Sequence, residues 1–371
     1  MRQILWWGRT GAYGPDYPRN RTVIAELKKL GVELVVFQPL LSKFGDIEAA
    51  LRRLPAVDAV WVPCFRQRDM AAAVRYARRR GLPVIFDPLI SAFDKRVNER
   101  RKYSADSWRG RRLLRWESTL FNRAELLIAD TQAHRQYFHA THGVALERIV
   151  VLPVSAEETL FTPPAGAYQL PARPELLFFG SFIGLQGATV IAEALHHYHG
   201  PAIKLCFLGD GPQRADCQTI AAEANNPLVD VEFADWIALH ELPARIGRAD
   251  LGLGIFGSGA KSARVIPNKV YQSLACGLPV ITMASSAYPA QLGAQNGLFF
   301  VPAGSPQALA TAMAAAVGEL GQPLRQAALA SYRRYFSSEQ IGTALAAALQ
   351  KLLDGKLAAV SATRKHQKDE R

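Results

Sequence analysis

Short apolar runs rich in β-branched and aromatic residues alternate with helical patterns along nearly the whole chain, and that alternation leaves little choice of architecture. In the first half the strand-like runs are Ile4–Trp7, Leu34–Phe37, Ala59–Val62, Pro83–Asp87, Leu126–Asp130 and Ile149–Pro153. Helical segments such as Asn20–Leu30, Asp69–Arg80 and Thr131–Thr141 fall between them. Strands joined through helices pair in parallel, so the pattern specifies an α/β chain with a doubly wound parallel sheet. After a break that holds Pro163, Pro164, Pro171 and Pro174, it restarts with Leu176–Gly180, Lys204–Gly209, Val229–Ala234, Leu251–Phe256, Pro279–Met283 and Leu298–Val301. The expected organisation is two Rossmann-like domains, over 1–160 and 175–335, joined by a linker over 161–174 and facing across a cleft. A C-terminal helix over 336–353 is expected to pack back on the first domain, with a disordered basic tail over 354–371. The length of 371 residues agrees, because single cores stop growing at about 250–300 residues.

No apolar run approaches the ~20 residues that cross a bilayer, and Gly8 and Arg9 break the opening MRQILWWGRTG too early for a secretory signal. Cys64, Cys206, Cys217 and Cys276 lie far apart in no metal or redox spacing, and read as small core residues of a cytoplasmic protein. The net charge of +12 calls for a polyanionic neighbour. Its densest stretch, 95–123, sets Lys95, Arg96, Arg100, Arg109, Arg112 and Arg115 beside Leu113, Trp116, Leu120 and Ala124 at helical spacing. That describes either a basic amphipathic helix for the anionic inner face of a membrane or an internal helix whose arginines face water. No nucleic-acid motif accompanies the charge, so nucleic acid is not an expected partner.

The candidate site lies in the second half. In VIPNKVYQSLACGLPVIT, Val265 to Thr282, Pro267 is expected in the first turn of a helix that Gly277 ends, which holds Lys269 at the helix N-terminus. The free N–H groups and dipole there favour an anion, and Lys269 adds a full charge. Three loops at strand ends carry glycine where a ligand would need close backbone approach: Gly180 with Gly184 and Gly187, Gly209 before Asp210, and Gly257 with Gly259 ahead of Lys261.

In FFGSFIGLQG, LGDGP and VIPNKVYQSLACGLPVI, in that order, the chain resembles GT-B glycosyltransferases of glycosyltransferase family 4 over nearly its whole length. The resemblance implies transfer of a sugar from a UDP- or GDP-type nucleotide donor to a glycan or lipid-linked acceptor, with retention of configuration and without a metal or other cofactor. No DxD pair is present to hold a divalent cation, so leaving-group charge falls to lysine, arginine and backbone N–H groups. Gly180, Gln186, Gly187, Gly209, Asp210, Lys261 and Gln272 are the implied donor-binding residues, with Arg264 and Lys269 at the reacting end. Two positions depart from the family: Arg264 and Gln272 stand where relatives carry two glutamates with seven residues between them. Gln272 still offers a hydrogen bond to a ribose hydroxyl, and Arg264 fits a phosphate or a carboxylate on the donor sugar. The alternative is a catalytically weak nucleotide-sugar-binding or partner protein of the same fold.

The first half is then the acceptor side. Its opening loop, GRTGAYGPDYPRNR, supplies Gly11 and Gly14 for close approach to the donor and Tyr13 and Asp16 for contact with a sugar. Relatives place a histidine near the end of the fourth strand; Asp87 occupies that region here and is the expected catalytic-cleft contact, with Asp94 as a second, or else it caps the following segment. His134, His139 and His142 show no metal-ligand pattern and read as surface residues.

Overall fold

The computed structural model describes residues 3–8 and 17–369. It divides into two compact units, 1–153 together with 338–371, and 154–337. In the first unit the strands are β1 (Gln3–Trp7), β2 (Glu33–Phe37), β3 (Ala59–Val62), β4 (Val84–Phe86), β5 (Leu126–Ala129) and β6 (Ile149–Val151). They form one parallel sheet in the order β2-β1-β3-β4-β5-β6. Period-two alternation splits its core: Leu5 and Trp7 pack on one face with Val60, Val62 and Phe86, while Ile4 and Trp6 pack on the other with Trp61, Ile85 and Ile128. The second face is closed by the last helix, Ser338–Asp369, whose Leu345, Ala348 and Leu349 are buried against it. That helix runs on past the end expected near Leu353, through a Leu- and Ala-rich stretch of high helix propensity.

The second unit repeats the plan with β7 (Glu175–Phe179), β8 (Ile203–Leu208), β9 (Val229–Ala234), β10 (Leu251–Leu253), β11 (Val280–Met283) and β12 (Leu298–Val301). Its order is β12-β11-β10-β7-β8-β9, again all parallel. β10 stops short of the expected Phe256. Beyond Leu253 the backbone stays bonded to β11, with the Gly254 N–H donating to the Ile281 carbonyl at 2.8 Å and the Met283 N–H to that of Ile255 at 2.9 Å, and the Ile255 N–H donates to the Thr282 hydroxyl at 3.3 Å. The Pro-rich segment expected as a linker packs on this unit: the Tyr168 hydroxyl donates to Asp250 at 2.8 Å, and the Arg325 guanidinium lies over the Tyr168 ring.

In each sheet the chain leaves the central strand in one direction and later returns to its other side. The switch points fall between β1 and β3 and between β7 and β10. Ligands of such sheets bind beyond the strand C-termini at those points.

Candidate functional site

At the switch point of the second unit, the loops after β7, β8 and β10 interlock. A Cβ on Gly209 would lie 2.3 Å from the Gly180 carbonyl oxygen, and one on Gly257 would lie 2.4 Å from that of Gly184. Gly209 also has φ +126°, which side chains rarely adopt. The glycines expected to make room for a ligand thus make room first for one another. Gly187, at φ +65°, precedes the helix Ala188–Ala194 and abuts Gly257. Asp210 is exposed, and its carbonyl accepts the Phe182 N–H at 3.1 Å.

Against this platform stands the helix Asn268–Ala275. Pro267 is its N-cap, with φ −72° and ψ 151°, one position earlier than the first-turn place expected, and Lys269 is its second residue. Gly277, at φ +70°, follows the last turn, and the Leu278 N–H closes back on the Ser273 carbonyl at 2.8 Å. Lys269 turns inward and is only 5% exposed. Its Nζ donates to Gln186 Oε1 at 2.8 Å and sits 3.6 Å from the centroid of the Phe178 ring. Among the described residues no carboxylate pairs with it, and burial drives its pKa well below the usual lysine value. Met only by one amide oxygen and the rings of Phe178 and Phe179, the amine is disfavoured in its charged form, and an anion beside it would restore that charge. Gln272 is half-buried three residues further along the same helix, while Lys261 and Arg264 flank the short turn Ser262–Arg264 ahead of it. The structure therefore brings Gly180, Gln186, Gly187, Gly209 and Lys269 into one cluster. The Gln186–Lys269 bond and the Phe178 face were not legible, since residues 83 and 91 positions apart meet only through the fold.

In the first unit Asp87 follows β4 but is not presented to a ligand. It is 2% exposed and accepts from Arg19 Nε at 2.8 Å; Arg19, wholly buried, also donates to the carbonyls of Leu152 and Pro153 at 2.8 and 2.6 Å. Burial raises the Asp87 pKa against the pull of Arg19. Instead of the open cleft contact expected, Asp87 is one half of a buried ion pair tying β4 to the helix Pro18–Lys29 and the chain beyond β6, and its carboxylate also accepts the backbone N–H of Leu89 in the segment that follows, as a cap does. Asp94 is likewise internal, 1% exposed, with Oδ1 accepting from Asn98 at 2.7 Å. Gly11, Tyr13, Gly14 and Asp16 lie outside the described residues.

Two of the three histidines correct the surface reading. His134 is buried against Asp130, and His142, 3% exposed, has its pKa pushed down to about 4 by desolvation. The basic segment differs too. Its long helix spans Trp108–Phe121, and the apolar stripe is divided: Leu120 and Phe121 pack in the unit's own core, while Trp116 stays 38% exposed. Glu117, on that inner face, accepts from the Ser91 hydroxyl at 2.6 Å and from the N–H groups of Ala92 and Phe93 at 2.5 and 2.8 Å. All four cysteines are buried and free. Among the described residues no group of three or more His, Cys, Asp or Glu side chains is placed to share a metal ion, and no helix is long and apolar enough to cross a membrane.

Residues 13–155 match the family model described as glycosyl transferase 4-like domain, and residues 173–319 match that of glycosyl transferases group 1. A putative colanic acid biosynthesis glycosyltransferase, WcaL of Escherichia coli, is 29% identical over 244 residues, which span 63% of this chain and 58% of that protein. Among solved structures, HepE of Anabaena in complex with UDP superimposes with a TM-score of 0.70 at 15% identity, covering 95% of this chain and all of that one. Sucrose-phosphate synthase of Thermosynechococcus elongatus does so with a TM-score of 0.71, also at 15% identity, over 96% of this chain and all of the other.

Proposed function

Because the chain belongs to the group 1 glycosyltransferases, with the GT-B fold of family 4, we propose that it moves a sugar from a nucleotide-sugar donor to a glycan or lipid-linked acceptor in the building of a cell-surface polysaccharide or lipopolysaccharide. The observation that carries this reading is Lys269. A buried lysine without a carboxylate, at the start of a helix and beside interlocked glycine loops, is suited to a diphosphate, whose charge would hold it protonated. As the bond between the sugar and the diphosphate breaks, negative charge grows on the departing phosphate oxygen. A cation already stripped of water stabilises that charge without reorganising. Lys269 supplies it, with Lys261 and Arg264 nearby on the turn before the helix. Charge met in this way makes the reaction metal-independent in our reading. The acceptor hydroxyl then gives its proton to the leaving phosphate, with the anomeric configuration retained. This route asks for no protein base, which suits an Asp87 already engaged by Arg19. UDP is the donor nucleotide we favour, as HepE binds it, and the protein works in the cytoplasm at the inner membrane face.

Lys269→Ala is expected to lower donor turnover by on the order of a hundredfold while the thermal transition persists. Unchanged kinetics would remove Lys269 from the site. The replacement of two family acids by Arg264 and Gln272 favours one second reading, a binding protein without efficient transfer. Tight nucleotide-sugar binding with no acceptor-dependent nucleotide release would establish it instead.

A further inference from the structure

The first unit contains a cavity of about 820 Å³ that the transfer chemistry above does not use. It opens beyond β3, on the switch-point side of the sheet, between the start of the helix Gln67–Arg79 and the outer face of the helix Trp108–Phe121. Its wall carries Arg66, Arg68, Arg96, Arg109 and Arg112, and Asp69, only 1% exposed, is the sole acid among the described residues that line it. Arg96, Arg109 and Arg112 are exposed and form no ion pair with a described carboxylate. Two of them are already seated on rings: the Arg109 guanidinium lies 5.8 Å from the centroid of Tyr103, and that of Arg112 lies 5.1 Å from that of Trp108. Guanidinium groups held apart on aromatic faces are arranged for a multiply charged oxyanion.

Two further features make this a built site. Phe65, which lines the cavity directly after Cys64, is held at φ +61°, a left-handed conformation that a bulky residue adopts only under constraint. The Glu117 carboxylate fastens the helix Trp108–Phe121 to the backbone of Ala92, itself part of the lining. Beside the charge lies apolar surface. Ser42, on the rim, belongs to a stretch that exposes Leu40, Leu41, Phe44, Ile47 and Leu51, from 48% for Phe44 to 78% for Leu51, and Trp108 is 61% exposed. A water-soluble anion has no use for that ridge. A phosphate joined to a hydrocarbon chain matches both halves, phosphate on the arginines and chain along the apolar stretch.

We infer that this cavity binds the acceptor and that the acceptor is a lipid-linked phosphate, its phosphate held by Arg96, Arg109 and Arg112. The inference rests on the transferase reading for the word acceptor alone, because occupation of the cavity can be measured without turnover.

The test is titration of tryptophan fluorescence in the full chain with farnesyl diphosphate, farnesol, inorganic pyrophosphate and phosphatidylglycerol vesicles. Farnesyl diphosphate is expected to bind saturably, about tenfold or more tighter than either farnesol or pyrophosphate. Arg109→Gln with Arg112→Gln, both on exposed positions, is expected to weaken it about tenfold or more with the thermal transition unchanged. Lys269→Ala should leave the titration as it is. Equal binding of pyrophosphate would remove the lipid, and equal binding of farnesol would remove the phosphate. Binding to vesicles alone would make the patch a membrane contact. Loss of binding in Lys269→Ala would move the diphosphate to the second unit, and each of these four outcomes overturns the inference. Failure of acceptor-dependent nucleotide release would instead strike the transferase reading and leave the titration standing.

Discussion

At the scale of single residues, Lys269 is where sequence and structure inform each other most. The sequence places it at a helix start; the fold adds that it is buried on Phe178 and held by Gln186, which no spacing rule foretells. Its titration gives a prediction. Desolvation lowers its pKa in the free protein, so the ammonium yields its proton at a lower pH than an ordinary lysine. A bound diphosphate favours the charged form and pulls the pKa back up. Nucleotide binding should therefore take up a proton, and affinity should fall as pH rises through the free-site pKa toward 10.5. Calorimetry of UDP binding between pH 7 and 10, in buffers of different ionisation enthalpy, reads the uptake directly; none at any pH, or the same uptake in Lys269→Ala, refutes it. Other residues were legible in retrospect. Arg19 shares a helix face with Val23 and Leu27, at i+4 and i+8, and Glu117 shares one with Leu120 and Phe121. Both charges sit in apolar stripes, a pattern from which burial follows without knowledge of the partner. The partner itself, Asp87 for Arg19, required the fold.

At the scale of elements, strand positions were read well, from apolar runs such as Ala59–Val62 and Leu298–Val301 and from the apolar–acidic alternation of the edge strand Val229–Ala234, and all three coincide with the expected bounds. Loops were read less well. Glycine at a strand end signals close approach but not to what, and here the first partner is another loop. Gly257→Ala is accordingly expected to cost about 1–3 kcal/mol, since the new methyl would press on the carbonyl oxygens of Gly184 and Leu185, backbone that cannot swing away as a side chain would. Chemical denaturation measures it. A loss below half a kcal/mol would mean the loops yield and the interlock is loose. The helix Trp108–Phe121 shows the same limit from the other side, because its apolar stripe was visible while the division of that stripe between the core, which takes Leu120 and Phe121, and the cavity wall, which takes Leu113 and Trp116, was not.

At the scale of the whole molecule, two repeats of one plan followed from composition and pattern, and the return of a C-terminal helix to the first of them was also expected. The last helix belongs to the first unit, with Leu345, Ala348 and Leu349 covering Ile4, Trp6 and Trp61. Removing residues 338–371 should therefore expose one face of the first sheet and leave the second unit intact. Hydrogen exchange on the truncated chain is expected to show protection lost around β1 and β3 and kept around β7 and β8; uniform protection would mean the helix is dispensable. The same arrangement bears on how the molecule is made. A ribosome adding about 5–20 residues per second spends roughly ten to forty seconds on residues 154–337 after the first sheet has emerged. Through that interval Trp6 and Trp61 lack the helix that covers them, so the amino-terminal half, though born first, is finished last, and a nascent chain stalled within the second unit is one for chaperones to hold.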